Sequence, residues 1–276
     1  MNGKRLNFET PTFYKRIKGM LGVDFYRLFH TPMFYIFLVI AAIIPAMVLT
    51  MTGMPGPDGT ATTPLYTNTW QVIASQTPLY VVNNIAEYAN MNMVFIFGGI
   101  MVSIFIGHDY KSGYVKQLFT THSHKSDYML SKSILGAFSM ACMCITYLFG
   151  TTVAGLISGM DFTVNFGSLM LSVLGKIVMS LGWASLYTLL NVVFRRYFGI
   201  SIASCFFFGT GILIIGAGAI FGNSASILNV FLYGSSVNAC LTSNILSLVT
   251  CIIVSIAWAV IYNIVGSFVL AKSDVY

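Results

Sequence analysis

The groups able to do acid–base or ligand chemistry in this chain are few and far apart. Of its eight carboxylates, Glu9, Asp58, Glu87, Asp109, Asp127, Asp161 and Asp274 fall in polar connections or tails, and Asp24 falls on an amphipathic segment. No pair of them marks a buried acid–base centre. His122 and His124 form a His-x-His that lacks the further ligands a metal site needs, and a solvated turn accounts for them. Cys142, Cys144, Cys205 and Cys251 lie in apolar runs, where free cysteine acts as a small hydrophobe, and Cys240 stands alone in a connection, so no disulfide framework is indicated. Gly175-Lys176 has neither the upstream glycine nor the following Ser/Thr of a phosphate loop. No catalytic residue, metal ligand or cofactor is expected on this chain. If nucleotide energy drives the protein, another chain must supply it.

The elements that position these groups are apolar. Hydrophobic residues make up 57% of the 276 and charged residues 8%, with a mean hydropathy of +0.81, against roughly 25% charged in an ordinary soluble domain. An all-α integral membrane protein is the expected class. Helices of about 20 apolar residues cross a bilayer, and six such spans are expected: Met33 to Met51, Met91 to Gly107 (starting earlier if its polar flank is helical), Ser133 to Met160, Leu169 to Phe194, Phe198 to Phe221 and Leu246 to Ala271. Pro45 is expected to kink the first. The domains are then residues 1–32, a cytoplasmic N-terminus; 33–271, the six-span membrane domain; and 272–276, a cytoplasmic tail.

Ahead of the first span, Phe13, Ile17, Met20, Leu21, Phe25 and Leu28 recur at helical spacing, while Lys15, Arg16 and Lys18 lie largely off that face. This fits an interfacial amphipathic helix, with a soluble juxtamembrane helix as the alternative. Asp24 interrupts the apolar arc. Its simplest partner is Arg27, three residues on, and the alternative is a neighbouring protein surface.

Thirteen of the fourteen Lys and Arg residues fall on one side of the expected spans: Lys4, Arg5, Lys15, Arg16, Lys18, Arg27, Lys111, Lys116, Lys125, Lys132, Arg195, Arg196 and Lys272. The positive-inside rule therefore places both termini in the cytoplasm of a multi-pass cell-membrane protein. Because the bases are divided among membrane-flanking segments, the pI of 9.0 gives no support to nucleic-acid binding.

Lys176 is the fourteenth base, and it lies inside a span. A lysine at the bilayer centre costs roughly 2.5 to 3.5 kcal/mol on insertion scales. It either snorkels outward, pairs with Asp161 or Glu87, or lines a water-filled path. Of the outer connections, Thr52 to Asn90 is expected to form a partly ordered cap, and Gly222 to Ile245 to dip back if neighbouring helices satisfy its backbone. Gly209, Gly211, Gly216, Gly218 and Gly222 allow close helix approach in the fifth span, for a subunit interface or for internal packing.

Between the second and third spans, His108 to Lys132 is the longest basic interruption. Asp109 to Phe119 can form a short helix, with Tyr114, Val115, Leu118 and Phe119 projecting to one side. Ser123 or Ser126 can cap the third span, with Asp127 in its first turn. The spacing Asp109-x-x-x-Gly113-Tyr114-x-x-x-Leu118-x-Thr120, then Lys125-x-x-Tyr128-x-x-Ser131-Lys132, resembles the signature of ABC-2 type transporter permeases. The likeness is to the bacterial branch with bacitracin-resistance, lantibiotic-immunity and peptide-toxin export permeases. Asp109 stands where many members have Glu, and Lys125 where many have Arg.

That resemblance implies a permease subunit of an ATP-driven exporter. Two permease chains, identical or homologous, would assemble with two copies of an ABC ATPase subunit holding ATP and Mg. A short cytoplasmic coupling helix, through Tyr114, Val115, Leu118 and Phe119, would dock in the ATPase. The cargo implied is a peptide or amphipathic molecule leaving the cell or the membrane. The rival is a sensor or scaffold subunit whose loop binds a cytoplasmic regulator, and an intramembrane enzyme is more distant for want of paired acids.

Overall fold

The computed structural model describes residues 12–51, 68–70, 85–120, 124–163, 165–195, 197–209, 230–241 and 245–272. Their regular elements are helices: α1 (Phe13–Phe29), α2 (Pro32–Met51), α3 (Ile85–Lys111), α4 (Tyr114–Thr120), α5 (Lys125–Ser158), α6 (Phe166–Val193), α7 (Phe198–Gly209), α8 (Leu232–Leu241) and α9 (Ile245–Lys272). Among the described residues the only extended pairing is an isolated parallel bridge between Asn68 and Asp161.

Among the described residues, four helices are long and apolar enough to cross a membrane alone: Met93–Lys111 within α3, then α5, α6 and α9. Residues Phe13–His30 and Pro32–Met47 pass that test only together, bent by 65°, which makes the total four or five among the described residues. α7 is a 12-residue, largely apolar helix within the expected fifth span, and positions 210–221 lie outside the described residues. The helix that carries the second span begins at Ile85, ahead of Met91, and its membrane-compatible stretch is Met93–Lys111. Pro45 sits inside α2, and the pronounced bend comes earlier, at the α1–α2 break.

That break is a built elbow. A helix end leaves its last four carbonyls without internal partners, and all four of α1 are taken. The Tyr26 carbonyl accepts from the His30 backbone and ring nitrogens, and Leu28 accepts from the Thr31 N–H. Arg27 accepts from the Thr31 hydroxyl at 2.6 Å and Phe29 from the Tyr35 hydroxyl at 2.9 Å. The bend is therefore held by side chains within the turn itself.

α6 is the central helix, packed along both α5 and α9. Ser255 of α9 inserts its hydroxyl into the α6 ladder, donating to the Val178 carbonyl at 2.8 Å and accepting from the Gly182 N–H at 3.1 Å. A Cβ at Gly182 would meet Leu232 of α8 at 2.4 Å, so the glycine admits α8 against α6. Gly182 is sixteen residues along α6, roughly 24 Å from its start at 1.5 Å per residue. Trp183 donates to Ser236 of α8 at 2.8 Å, and Cys251 of α9 contacts the Ser235 carbonyl. The described part of the Gly222 to Ile245 connection, residues 230–241, thus lies alongside the middle of α6.

At the opposite end from the basic segments, the Thr69 N–H donates to the Asp161 carbonyl at 2.9 Å, and the Asn68 amide pairs with Thr163 through both its oxygen and its nitrogen. Thr69 is buried over Gly155, and the Trp70 ring packs edge-on to Phe162. These three residues of the expected cap are seated on the α5–α6 turn.

Candidate functional site

Four elements converge at the base-rich end on a buried cluster of charges. Asp24 comes from α1, Asp109 from the last turn of α3 and Lys132 from the second turn of α5; they are 0%, 0% and 1% exposed. Lys132 Nζ donates to Asp24 Oδ1 at 2.6 Å and lies 2.7 Å from Asp109 Oδ2. Ser131 donates to the other Asp24 oxygen at 2.7 Å, and Arg27 Nη2 donates to Asp109 Oδ1 at 2.5 Å. Tyr128 reaches Asp109 at 3.4 Å. The Arg27 guanidinium also lies over the Tyr114 ring of α4 at 4.4 Å and the Phe105 ring of α3 at 5.2 Å. One turn earlier on α5, Asp127 accepts from Arg16 of α1 at 2.8 Å.

Asp24 thus faces a protein neighbour. Its local pair with Arg27 is only 3.9 Å, because Arg27 is turned toward Asp109 and Asp24 is taken by Lys132 and Ser131. Asp109 and Asp127, expected in a solvated connection, are buried. The reason is the length of the helices. α3 continues through Lys111, and α5 starts at Lys125, ahead of the apolar run from Ser133, carrying Asp127, Tyr128, Ser131 and Lys132 onto a helical face that α1 covers. The α5 N-cap is His124, with no side-chain cap bond, rather than Ser126; Ser123, like His122, lies outside the described residues. Asp127 does lie in the first turn, where the helix dipole favours it.

The short helix after α3 is separate from it. Asp109 belongs to α3, and the chain turns at Gly113, whose φ of 75° suits glycine because a Cβ is strained there even though space is open. α4 then lies with its apolar side inward. Val115 is 1% exposed and packs in one cluster with Met20, Tyr128, Met129, Val192 and Leu270, with Leu118 and Phe119 against it. Phe119 meets the Tyr128 ring edge-on at 5.8 Å. Of the four expected coupling residues, Val115 is buried in the chain's own core, while Tyr114, Leu118 and Phe119 are half-buried beside it. Lys116, Gln117 and Thr120 are the exposed face. Burial, reinforced by Asp24 and Asp109, pushes the Tyr114 phenol above its ordinary value, so it remains a neutral ring for Arg27.

Other motif positions have structural work of their own. Lys125 Nζ donates to the Leu270 carbonyl at 2.7 Å, satisfying the C-terminal end of α9 and matching its dipole. Thr120 bonds back to the Gln117 carbonyl within α4. Lys176 is 9% exposed on α6, with its ammonium 5.9 Å from the Tyr147 ring centre, and it stands apart from the cluster.

A second buried polar group was missed. Asn191 donates to Ser103 at 3.0 Å and to the Tyr187 carbonyl at 2.7 Å, Ser201 donates to its oxygen, and Ser103 contacts Cys205 at 3.1 Å. This joins α3, α6 and α7. An Asn in an otherwise apolar run is the signal that points to it.

Chemically, the charge cluster is a clamp. Two carboxylates meet two cations, each acid accepts two or more hydrogen bonds or ion pairs, and the void beside Lys132 is about 10 Å³, room for no more than a water. No protein-family model matches the chain, and no curated protein sequence matches it.

Proposed function

We propose that this chain is the membrane-spanning subunit of an ATP-driven exporter, with α4 as the element through which a separate ATPase moves the helices. The observation that carries this reading is the ion-pair cluster itself. α4 is stacked through Tyr114 on Arg27, Arg27 is paired with Asp109 at the end of α3, and Lys132 at the start of α5 bridges Asp109 to Asp24 of α1. A displacement of α4 therefore reaches three larger helices through short, charge-assisted contacts instead of being absorbed by a loose loop.

The resemblance of the His108 to Lys132 segment to ABC-2 type permeases supports the same reading and adds the rest of the assembly: two ATPase subunits carrying ATP and Mg, a second permease chain, and a peptide or amphipathic cargo. With the bases at one end, the positive-inside rule puts α4 in the cytoplasm, where an ATPase would be. The docking face proposed for α4 centres on its exposed side. Leu118 and Phe119 hold α4 in place, and the face offered to a partner is Lys116, Gln117 and Thr120.

The test is Lys116→Asp with Thr120→Asp. The pair leaves the buried side of α4 untouched, so the chain should melt as before; retention of an ATP-hydrolysing partner during purification should fall by about tenfold or more, as for loss of a central interface contact. Undiminished retention together with normal transport would end this assignment. A partner that is retained by this face but hydrolyses no nucleotide would favour a sensor or scaffold.

A further inference from the structure

The base-rich end carries different charge inside and outside. Its carboxylates among the described residues, Asp24, Asp109 and Asp127, are buried and taken up by Lys132, Arg27 and Arg16. Lys15 and Lys18 of α1, Lys111 at the end of α3, Lys116 of α4 and Lys272 at the end of α9 are all exposed, and none of them makes an ion pair among the described residues. The acids are used up within, and the surface that remains is positive.

We propose that Lys15 and Lys18 of α1, together with Lys116 of α4, dock on an acidic face of the ATPase subunit. This rests on the export reading and adds two things to it, the chemistry of the partner's surface and a contact on α1 beside the one on α4. Charge of one sign calls for a partner of the other, and complementary charge across an interface sets partner choice and association rate. Gly19 and Gly22 lie on the exposed side of α1 with nothing within 4 Å of where a Cβ would stand, so nothing in the chain shields the two lysines there.

Anionic lipid is the other source of negative charge, and the length of α5 argues against it. Its 34 residues extend about 51 Å at 1.5 Å per residue, against a hydrocarbon core of about 30 Å. Exposed Leu156 and Ile157 keep its far end in hydrocarbon. About 20 residues counted back from there fill the core, which brings the inner boundary to the level of Phe138. Phe29 packs on Phe138, and the Tyr35 hydroxyl bonds to the Phe29 carbonyl, so a tyrosine stands where interfacial rings collect. Asp127, paired with Arg16 between the two exposed lysines of α1, then lies roughly 16 Å past the core. The headgroup layer is roughly 5 to 8 Å deep on each side, and charges more than about 8 Å apart in physiological salt are largely screened. α4 is turned the same way. Its buried Val115 rests on Val192, next to last in α6, and on Leu270, two residues from the end of α9, so Lys116 on the opposite side faces away from the membrane.

The experiment measures association of the full chain, in an uncharged detergent, with the ATP-hydrolysing subunit that co-purifies with it. Raising the salt from about 0.05 to about 0.5 M should slow association about fivefold or more. Lys15→Glu with Lys18→Glu should slow it about tenfold at the lower salt without moving the melting point, because both side chains are exposed. Lys15→Arg with Lys18→Arg should bind as the unaltered chain does. Carbodiimide, which joins an amine to a carboxylate in direct contact, should link Lys15, Lys18 or Lys116 to Asp or Glu of the ATPase. A complex that forms equally fast at both salts overturns the acidic face and leaves the export reading standing. So does a complex slowed by Lys116→Asp with Thr120→Asp but not by the α1 pair, which confines docking to α4. Loss of co-purifying anionic lipid from the α1 variant with unchanged ATPase binding assigns the lysines to the bilayer and overturns the proposal as well. If no ATP-hydrolysing subunit binds the unaltered chain at either salt, the export reading fails and this surface fails with it.

Discussion

Asp24, Asp109 and Lys132 are buried as full charges at the base-rich end, whereas Asn191, Ser103 and Ser201 are equally buried between α3, α6 and α7 and are neutral. The difference follows from how many partners each kind of group requires. An ion in a low-dielectric interior needs an opposite charge and further hydrogen bonds. Four chain segments supply them where α1, α3, α4 and α5 meet. A side-chain amide needs less. Asn191 is served by two hydroxyls and a carbonyl one turn back on its own helix. The charged region therefore ties segments that are distant in sequence and would separate at a cost, and the neutral one only pins helices already packed by apolar contact.

The comparison breaks most readily at Lys132. Lys132→Met leaves Asp24 and Asp109 with Arg27 alone, and Asp24→Asn leaves Lys132 and Arg27 with Asp109 alone, so each single change strands a buried charge. Each should cost about 3 kcal/mol, the range for removing one member of a buried pair. Combining them restores neutrality, with Arg27 and Asp109 still paired, and should recover a large part of the loss. Thermal melting of the four purified proteins measures the cycle. Strictly additive losses would mean that the cluster is not an energetic unit.

Asn191→Ala should do less. Interhelical hydrogen bonds inside membranes average about 0.6 kcal/mol and reach about 1.7, and Asn191 makes two of them, so a loss of about 1 kcal/mol in the same melting assay is expected. Since no charge is stranded, Asn191→Leu should resemble Asn191→Ala, without the penalty seen at Lys132. A loss as large as that of Lys132→Met would erase the distinction between the two regions.

The sequence showed the elements better than the pairings. Apolar runs located α2, α3, α5, α6 and α9 to within a turn at most ends, and the amphipathic spacing of Phe13 to Phe29 matches α1. What it concealed was where polar residues at helix ends go. A cap at Ser123 or Ser126 puts Lys125 to Lys132 on the helix ahead of the apolar run, but that Arg16, Asp24 and Asp109 partner Asp127 and Lys132 there does not show locally. That information is non-local, the partner of Lys132 on α1 being 108 positions away. The inward face of α4 was hidden for the same reason. Tyr114, Val115, Leu118 and Phe119 were legible as one side of a helix, but whether that side met a partner or the chain's own core depended on Met20, Val192 and Leu270 lying beneath it.

Lys176 is the position that sharpens the comparison, because it is a charge placed along the shaft rather than at the base-rich end. It is 9% exposed, ten residues into α6, with its ammonium near the face of the Tyr147 ring on α5. A cation over an aromatic face gains roughly 0.5 to 2 kcal/mol depending on desolvation. Methionine has a stem of similar length and makes a sulfur–aromatic contact of about 0.3–1.5 kcal/mol. Lys176→Met should therefore shift the melting point less than Lys132→Met, with a net change between a loss of about 1.7 and a gain of about 1 kcal/mol by these figures. If Lys176 is an anchor, transport of the reconstituted assembly should also be nearly unchanged, because neither the ion-pair cluster nor the exposed face of α4 is touched. Normal melting with lost transport would instead make the ammonium part of the path that cargo or water follows. Buried charge would then serve along the shaft of the molecule as well as in the clamp at its base-rich end.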